Sequence, residues 1–344
     1  MLQIKVVPRL KRPYYLRMFF YLIDRKIFMF LQIVILVFGF VILIKGADIF
    51  VDGASSLALN CKLSKMLIGL TIVAFGTSAP EFAVSVKSIM SNNSDMVLGN
   101  VIGSNILNIL LIIGICSLIK PVVVKSNTVK KELPIVILIS TLLFFLIKDD
   151  LFVSSINMVS RNDGIVILLF FAVFIYYLIS IVRNKKDNDA DEDAKYGISK
   201  SIIFTILGIV GIILGSNFVV DSASSIATML GVSQKMIALT VVAFGTSLPE
   251  LVTSVVSIRK NEQEILVGNI VGSNIFNIGM VLGLPVAIFG GIPAVGFNMI
   301  DLVVLLVSAM LLFLCSFKNY KITKWNGIIM LVIFTVYYTF VILG

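Results

Sequence analysis

Long apolar runs with few charges inside them recur along this chain, and that single pattern restricts the folds open to it more than any residue does. At about 1.5 Å rise per residue such runs approach or cross a hydrocarbon core roughly 30 Å thick. A segment that spans lipid must satisfy its own backbone hydrogen bonds, so the runs are read as helices. Charged residues make up only 14% of the sequence and mean hydropathy is +1.06, which removes a soluble domain from consideration. Runs bounded by charges or turn residues give ten expected spans, near 28-58, 64-90, 97-119, 133-147, 163-183, 200-229, 233-258, 265-290, 298-317 and 324-343. The expected fold is therefore an all-α integral membrane protein. No cleavable leader is expected, because the first strongly apolar run, Phe28 to Ile44, lacks a small-residue cleavage pattern and leads into the bundle.

The net charge of +9 is compatible with nucleic-acid binding, but the Lys and Arg lie mostly in short segments between apolar runs, where they set topology. Nucleic acid is excluded as a partner on that ground. The three cysteines are widely spaced and there is no histidine, so no soft-metal site and no cofactor is expected. The polar stretch from Arg183 to Lys195 is too charged to enter lipid. It divides the chain into a basic N-terminal extension (1-27), a first five-helix repeat (28-183), a charged linker (184-199) and a second five-helix repeat (200-344).

A shift of 169 positions superposes Thr71 to Val86 on Thr240 to Val255 with eleven of sixteen residues identical, and Gly99 to Asn108 on Gly268 to Asn277 with seven of ten. It also carries Asp52-x-Ala-Ser-Ser56 onto Asp221-x-Ala-Ser-Ser225. Five spans per repeat is an odd number, so each element of the second half is expected to cross in the opposite sense to its counterpart. The segments on the linker's side carry sixteen Lys and Arg against four on the other side. The expected placement is a multi-pass protein of the cell membrane with a cytoplasmic linker and termini outside. Residues 1-27 carry seven basic residues and run against that count. Two readings account for them, a separate cytoplasmic-side element or a translation start nearer Met29, and the second is favoured.

Both copies carry Gly-Thr-Ser-x-Pro-Glu in mid-span, at Gly76 to Glu81 and Gly245 to Glu250. Proline lacks an N–H and clashes with the carbonyl four residues back, so each helix is expected to kink and free carbonyls near Gly76 and Gly245. A buried carboxylate beside those carbonyls suits a hard cation. Thr77 and Glu81 are expected to stack at i and i+4, with Ser78 adjacent, and Thr246, Ser247 and Glu250 repeat them. The second motif puts Ser104 and Asn108 at the same spacing, repeated by Ser273 and Asn277, with Gly99, Gly103, Gly268 and Gly272 admitting a neighbouring helix. All these candidate ligands are oxygens, which selects Ca²⁺ or Na⁺ over transition metals. A single Ser/Thr-Pro kink is ordinarily structural; two copies in opposed halves, each with a glutamate, point to a site. Asp52 and Asp221 are read as cap or interface residues, and Asp301 as interfacial.

The two paired motifs resemble the repeats of the sodium/calcium exchanger family, within the cation/Ca²⁺ antiporter superfamily, and are closest to its compact prokaryotic members. The resemblance covers nearly the whole chain beyond the tail. It implies ten helices in two inverted-topology repeats, four ion positions at mid-membrane, alternating access by sliding of the first and sixth helices, and electrogenic exchange of several Na⁺ for one Ca²⁺. Carried over residue by residue, Glu81 and Glu250 with the backbones of Thr77 and Thr246 would hold Ca²⁺. Ser78, Ser104, Ser247 and Ser273, with carbonyls of Ala74 and Ala243, would hold Na⁺, and Asn108 and Asn277 would line the centre. Some relatives have aspartate where Asn277 stands, so this site lacks a titratable group there. The chain is not expected to be an enzyme; its partners are the lipid bilayer and the two ions, and a monomer suffices. The alternative is a Ca²⁺/H⁺ antiporter of the same superfamily, in which Glu81 and Glu250 would take up protons in exchange for the ion. A channel or an intramembrane acid protease would not call for duplicated halves with surrounding hydroxyls.

Overall fold

A computed structural model describes residues 12–91, 94–148, 157–184, 193–232, 241, 243–294 and 299–343. The chain is a bundle of helices with two minimal β-ladders. Helix α1 (Arg12–Asn60) is followed by a bent pair, α2 (Lys65–Thr77) and α3 (Ala79–Met90), and then by α4 (94–119). The short turn Ser126–Lys130 leads into α5 (Glu132–Ile147), α6 (Arg161–Asn184) and α7 (Ile198–Met229). The second half continues with the short helix Ala243–Thr246, α8 (Leu248–Arg259), α9 (Gln263–Phe289), α10 (Met299–Phe317) and α11 (Lys324–Leu343). Among the described residues seven helices are long and apolar enough to cross a membrane, and the α2–α3 pair, bent by 44°, makes an eighth if it is one span. This is a multi-pass membrane protein.

Two expected spans stand apart from those eight. Helix α5 has 16 residues, about 24 Å, which is short for a full crossing. The expected span at 233-258 falls partly outside the described residues, as do residues 1–11 of the N-terminal extension and 185–192 of the linker. Residues 12–27 continue without a break into α1, whose 49 residues reach about 74 Å, well beyond a bilayer core.

Glycines set the closest helix contact. Gly46 and Gly211 face each other across α1 and α7, so that a Cβ on Gly46 would lie 2.8 Å from the Gly211 carbonyl carbon. Gly208 meets the backbone of Phe50 and Gly215 that of Leu43. With no side chain at these positions the two backbones touch, which is how helices associate where lipid removes the usual hydrophobic drive. Gly268 and Gly272 of α9 admit α2 in the same way, with Met66 O and Ala74 Cβ as nearest neighbours. At Gly103, by contrast, an added Cβ meets nothing within 4 Å among the described residues, so the close approach expected there is not seen.

The connections sort to two ends. Ladder β1 (Val122–Val123) pairs with β4 (Lys321–Ile322), and β2 (Met158–Val159) pairs with β3 (Ile292–Pro293), both antiparallel. At the first end Lys65 pairs with Glu262 at 3.1 Å and Lys125 with Glu264 at 3.0 Å. Lys260 reaches Asp48 and Asp52 at 2.7 Å, and Lys195, from the linker, reaches Asp52 at 2.6 Å. Asn60 donates to Tyr196 O at 2.7 Å, so the linker's end is tied to α1. These segments all flank the start of α5, whereas β2 and β3 follow its far end.

Candidate ion-binding site

The helix breaks at the serine of each repeated motif. Ser78 has φ −84° and ψ 5°, Ser247 φ −90° and ψ 6°, and both leave the helical region. Pro80 and Pro249 then sit in the first positions of the restarted helix, where a missing N–H costs nothing. The break, more than the proline alone, decides where the glutamates go. Thr77 ends α2 and Glu81 stands in the first turn of α3, so the expected i, i+4 stacking of the two is replaced by contacts to the other half. A carboxylate in the first turn also faces the partial positive charge of the helix start.

Those contacts are reciprocal. The Ser78 hydroxyl donates to Glu250 Oε1 at 3.0 Å, and the Ser247 hydroxyl donates to Glu81 Oε1 at 3.4 Å, the same pair of roles exchanged by the 169-residue shift. Ser247 Oγ also lies 3.3 Å from Ser104 Oγ, and Ser273 donates to Glu250 Oε1 at 3.4 Å. Thr77 donates to Asn269 Oδ1 at 2.9 Å and lies 3.5 Å from Ser273 Oγ. Thr246 is buried, and Ala243 opens its short helix. The Ala74 carbonyl accepts from Ser78 N at 3.0 Å and lies 3.4 Å from the Thr77 hydroxyl oxygen. Glu81, Glu250, Asn108 and Asn277 are all 0% exposed.

Among the described residues three π-helical segments carry or adjoin these groups: Gly69–Val73, Leu107–Ile113 and Asn277–Leu282. A π turn rotates the residues around it by an extra position and is found mostly at functional sites. Here two of them carry Asn108 and Asn277. Asn277 donates to Asn105 Oδ1 at 3.1 Å, and Asn105 donates to the Asn274 carbonyl at 3.2 Å, a second seam between the halves.

What remains unpartnered is informative. Glu81 Oε2, Glu250 Oε2, Asn277 Oδ1 and both side-chain polar atoms of Asn108 are buried without a hydrogen bond. Each such group costs roughly 1–3 kcal/mol, more for a charged one. Two carboxylates close enough to act on each other electrostatically add repulsion. A cation between the carboxylates, or a proton on one of them, would offset the repulsion, and a cation would also partner the acceptor oxygens. Among the described residues no group of three His, Cys, Asp or Glu could hold a metal ion. The candidate donors gathered here are two carboxylates with hydroxyl, amide and carbonyl oxygens, which are hard in character.

Some supporting residues were not singled out from the sequence. Asn100 donates to Glu81 O at 2.9 Å and to Ser85 Oγ at 3.1 Å, and its counterpart Asn269 reaches Ser254 at 3.4 Å besides accepting from Thr77. Both asparagines, like Asn105, lie inside the quoted repeat, so membership in the motif was the available signal. Ser216 of α7 donates to the Gly245 carbonyl at 3.0 Å, the carbonyl that Pro249 cannot bond; the shift places Ala47 in its first-half position, so nothing in the motif points to it. Asp52 lies in the ion-pair cluster at one end, and Asp301 accepts from the Tyr337 hydroxyl at 2.9 Å, both away from the glutamates.

A sequence profile described as "Sodium/calcium exchanger protein" matches residues 31–180 and 200–343. This chain belongs to the sodium/calcium exchanger family. Within the family it is 38% identical over 312 residues to the putative antiporter CaxA of Alkalimonas amylolytica, covering 87% of this chain and 95% of that protein. It is 30% identical over 338 residues to the sodium/calcium exchanger MaX1 of Methanosarcina acetivorans, covering 88% of this chain and 96% of the relative. The sodium-calcium exchanger NCX_Mj, in crystals soaked with 10 mM Na⁺ and zero Ca²⁺, matches with a TM-score of 0.78 at 32% identity, over 90% of this chain and 98% of that one. As an exchanger-family member the chain is an antiporter of the membrane, and the two motif copies are where its fold concentrates buried polar oxygens.

Proposed function

We propose that this exchanger moves Ca²⁺ against Na⁺ through one site shared by the two motif copies. The observation that carries the reading is the reciprocal pair Ser78–Glu250 and Ser247–Glu81, around carboxylates that are wholly buried and keep one oxygen each without a partner. Glu81 and Glu250, with the backbones of Thr77 and Thr246, hold Ca²⁺, which takes about 6–8 oxygens. Ser78, Ser104, Ser247 and Ser273, with the Ala74 and Ala243 carbonyls, hold Na⁺, and Asn108 and Asn277 line the centre. Two negative charges are neutralised by one divalent ion or by several Na⁺, so the two occupancies exclude each other and transport is an electrogenic exchange.

Alternating access follows if the halves form ten spans in two inverted repeats, 28-183 and 200-344, joined by a cytoplasmic linker with the termini outside. The sorting of ion pairs and ladders to opposite ends of α5 supports that alternation, and the bare glycine contact of α1 with α7 supports their moving as one arm. A monomer contains the whole site. The test is Ca²⁺ uptake into proteoliposomes under an imposed Na⁺ gradient and then under a pH gradient alone. Uptake is expected only with Na⁺; equal uptake driven by pH without Na⁺ would replace this reading with Ca²⁺/H⁺ exchange.

A further inference from the structure

Away from the ion site, the end of the bundle around β4 gathers positive charge that the fold does not use. Lys318, Lys321 and Lys324 are exposed there, and Lys130 and Lys131 are exposed at the start of α5, which packs along α10. The hairpin between α10 and α11 is held in place. Its Tyr320 carbonyl accepts from Val124 N at 2.8 Å, Lys321 pairs in register with Val123, and Thr323 caps α11 through Asn326, whose Oδ1 accepts from Thr323 N at 2.9 Å. The two nearest acidic residues, Glu262 and Glu264, flank Gln263, which bonds the backbone of Val123, and both are already paired, with Lys65 and Lys125. Residues 109–148 contain one carboxylate, Glu132, which is buried and accepts from the Tyr177 hydroxyl, and 299–344 contain one, Asp301, at the opposite end of α10.

The lysines border apolar surface. Trp325 is 75% exposed and Phe317 61%, with Leu314 one helical turn deeper. Lysines at the rim of an exposed apolar belt, with an amphipathic ring between, is the arrangement a charged protein surface presents to the headgroup layer. A soluble acidic partner would need the cations without the belt.

We propose that this end of the bundle is a docking surface for anionic phospholipid headgroups, with Lys318, Lys321 and Lys324 contacting the phosphate and Trp325 lodged at the acyl boundary. The lysines attract the phosphate, and the pinned hairpin presents them at one depth. The inference is independent of which ions the site carries.

Trp325 is the sole tryptophan of the sequence, so its fluorescence reports this surface alone. The full chain is reconstituted in vesicles in which either phosphatidylglycerol or phosphatidylcholine is brominated on its acyl chains, at equal mole fraction. Quenching of Trp325 by the brominated anionic lipid is expected to exceed that by the zwitterionic one by about threefold or more at low salt, because each lysine near a charged surface contributes severalfold. The preference is expected to shrink at about 0.5 M salt, where the Debye length falls below roughly 5 Å. A triple variant Lys318→Gln, Lys321→Gln, Lys324→Gln is expected to quench equally with both lipids; if it fails to insert, the salt dependence of the unaltered protein decides alone. Equal quenching in the unaltered protein, or a preference that survives the triple variant, overturns the proposal. A preference abolished by inorganic phosphate but not by chloride of equal ionic strength also overturns it, in favour of a free-phosphate site.

Discussion

Gly208→Ala tests how α1 and α7 are joined. The added methyl group would lie 2.5 Å from Phe50 Cα and Cβ and 2.6 Å from Phe50 N. Carbon atoms rest at about 3.5–4.0 Å, so the helices must part by roughly 1 Å. Overpacking of that size costs about 1–3 kcal/mol. Gly215→Ala meets Leu43 N at 2.5 Å and is expected to cost a similar amount. Both methyl groups demand the same separation, so the double variant is expected to cost less than the sum of the two. Because the obstruction at Gly208 includes backbone, Phe50→Ala is not expected to restore stability. At Gly245 the obstruction is the end of the Val220 side chain, and Val220→Ala is expected to relieve Gly245→Ala. Thermal unfolding of the purified protein in detergent, with Gly197→Ala as the variant that meets no neighbour, measures all of these. A Gly208→Ala protein as stable as its parent, or one rescued by Phe50→Ala, would refute the close backbone contact.

Other expectations follow from the site and the linker. Glu81→Gln and Glu250→Gln each remove one of the two buried charges. At an effective dielectric constant of about 20 the attraction lost to a divalent ion is several kcal/mol, so Na⁺-driven Ca²⁺ uptake should drop at least about 100-fold; a normal rate in either variant refutes a shared site. Ser216→Ala leaves the Gly245 carbonyl without its donor and should cost about 1–3 kcal/mol in thermal unfolding, with no effect at all arguing against that bond. The hydrogen bond to Asp52 holds the Lys195 ammonium above its ordinary value, so the pair stabilises between the ordinary aspartate and lysine ranges and is lost as pH rises through the raised Lys195 value or falls until Asp52 is protonated. Proteolysis of the linker should therefore be flat from about pH 6 to 9 and faster in Lys195→Met; a pH-dependent rise in that window would refute the contact.

The class of fold and the candidate ligands were legible because each had a physical signature in the sequence. Apolar runs announced helices in lipid, and the 169-residue shift paired Glu81 with Glu250. Which groups touch was not legible. Thr77 and Glu81 read as neighbours on one helix face, but the break at Ser78 hands each of them to the other half. The π turns at Leu107–Ile113 and Asn277–Leu282 leave no trace in apolar periodicity, since all their residues but Leu111 and Met280 are buried. Ser216 supports a motif carbonyl from a helix outside the motif, and its first-half equivalent is Ala47. The glycines of α1 at 39, 46 and 53 recur every seven residues but were not singled out from the sequence, and their partners on α7 depend on packing that no local pattern encodes.

The Ser247–Glu81 bond also sets a clock. Its two ends are 166 residues apart, and a ribosome adding about 5–20 residues per second needs roughly 8–33 s to travel between them. For that interval the newborn first half holds a carboxylate whose hydroxyl partner has not been made. The growing chain must shelter Glu81 in water, or leave its helix out of the lipid core, until the second half arrives to complete its surroundings.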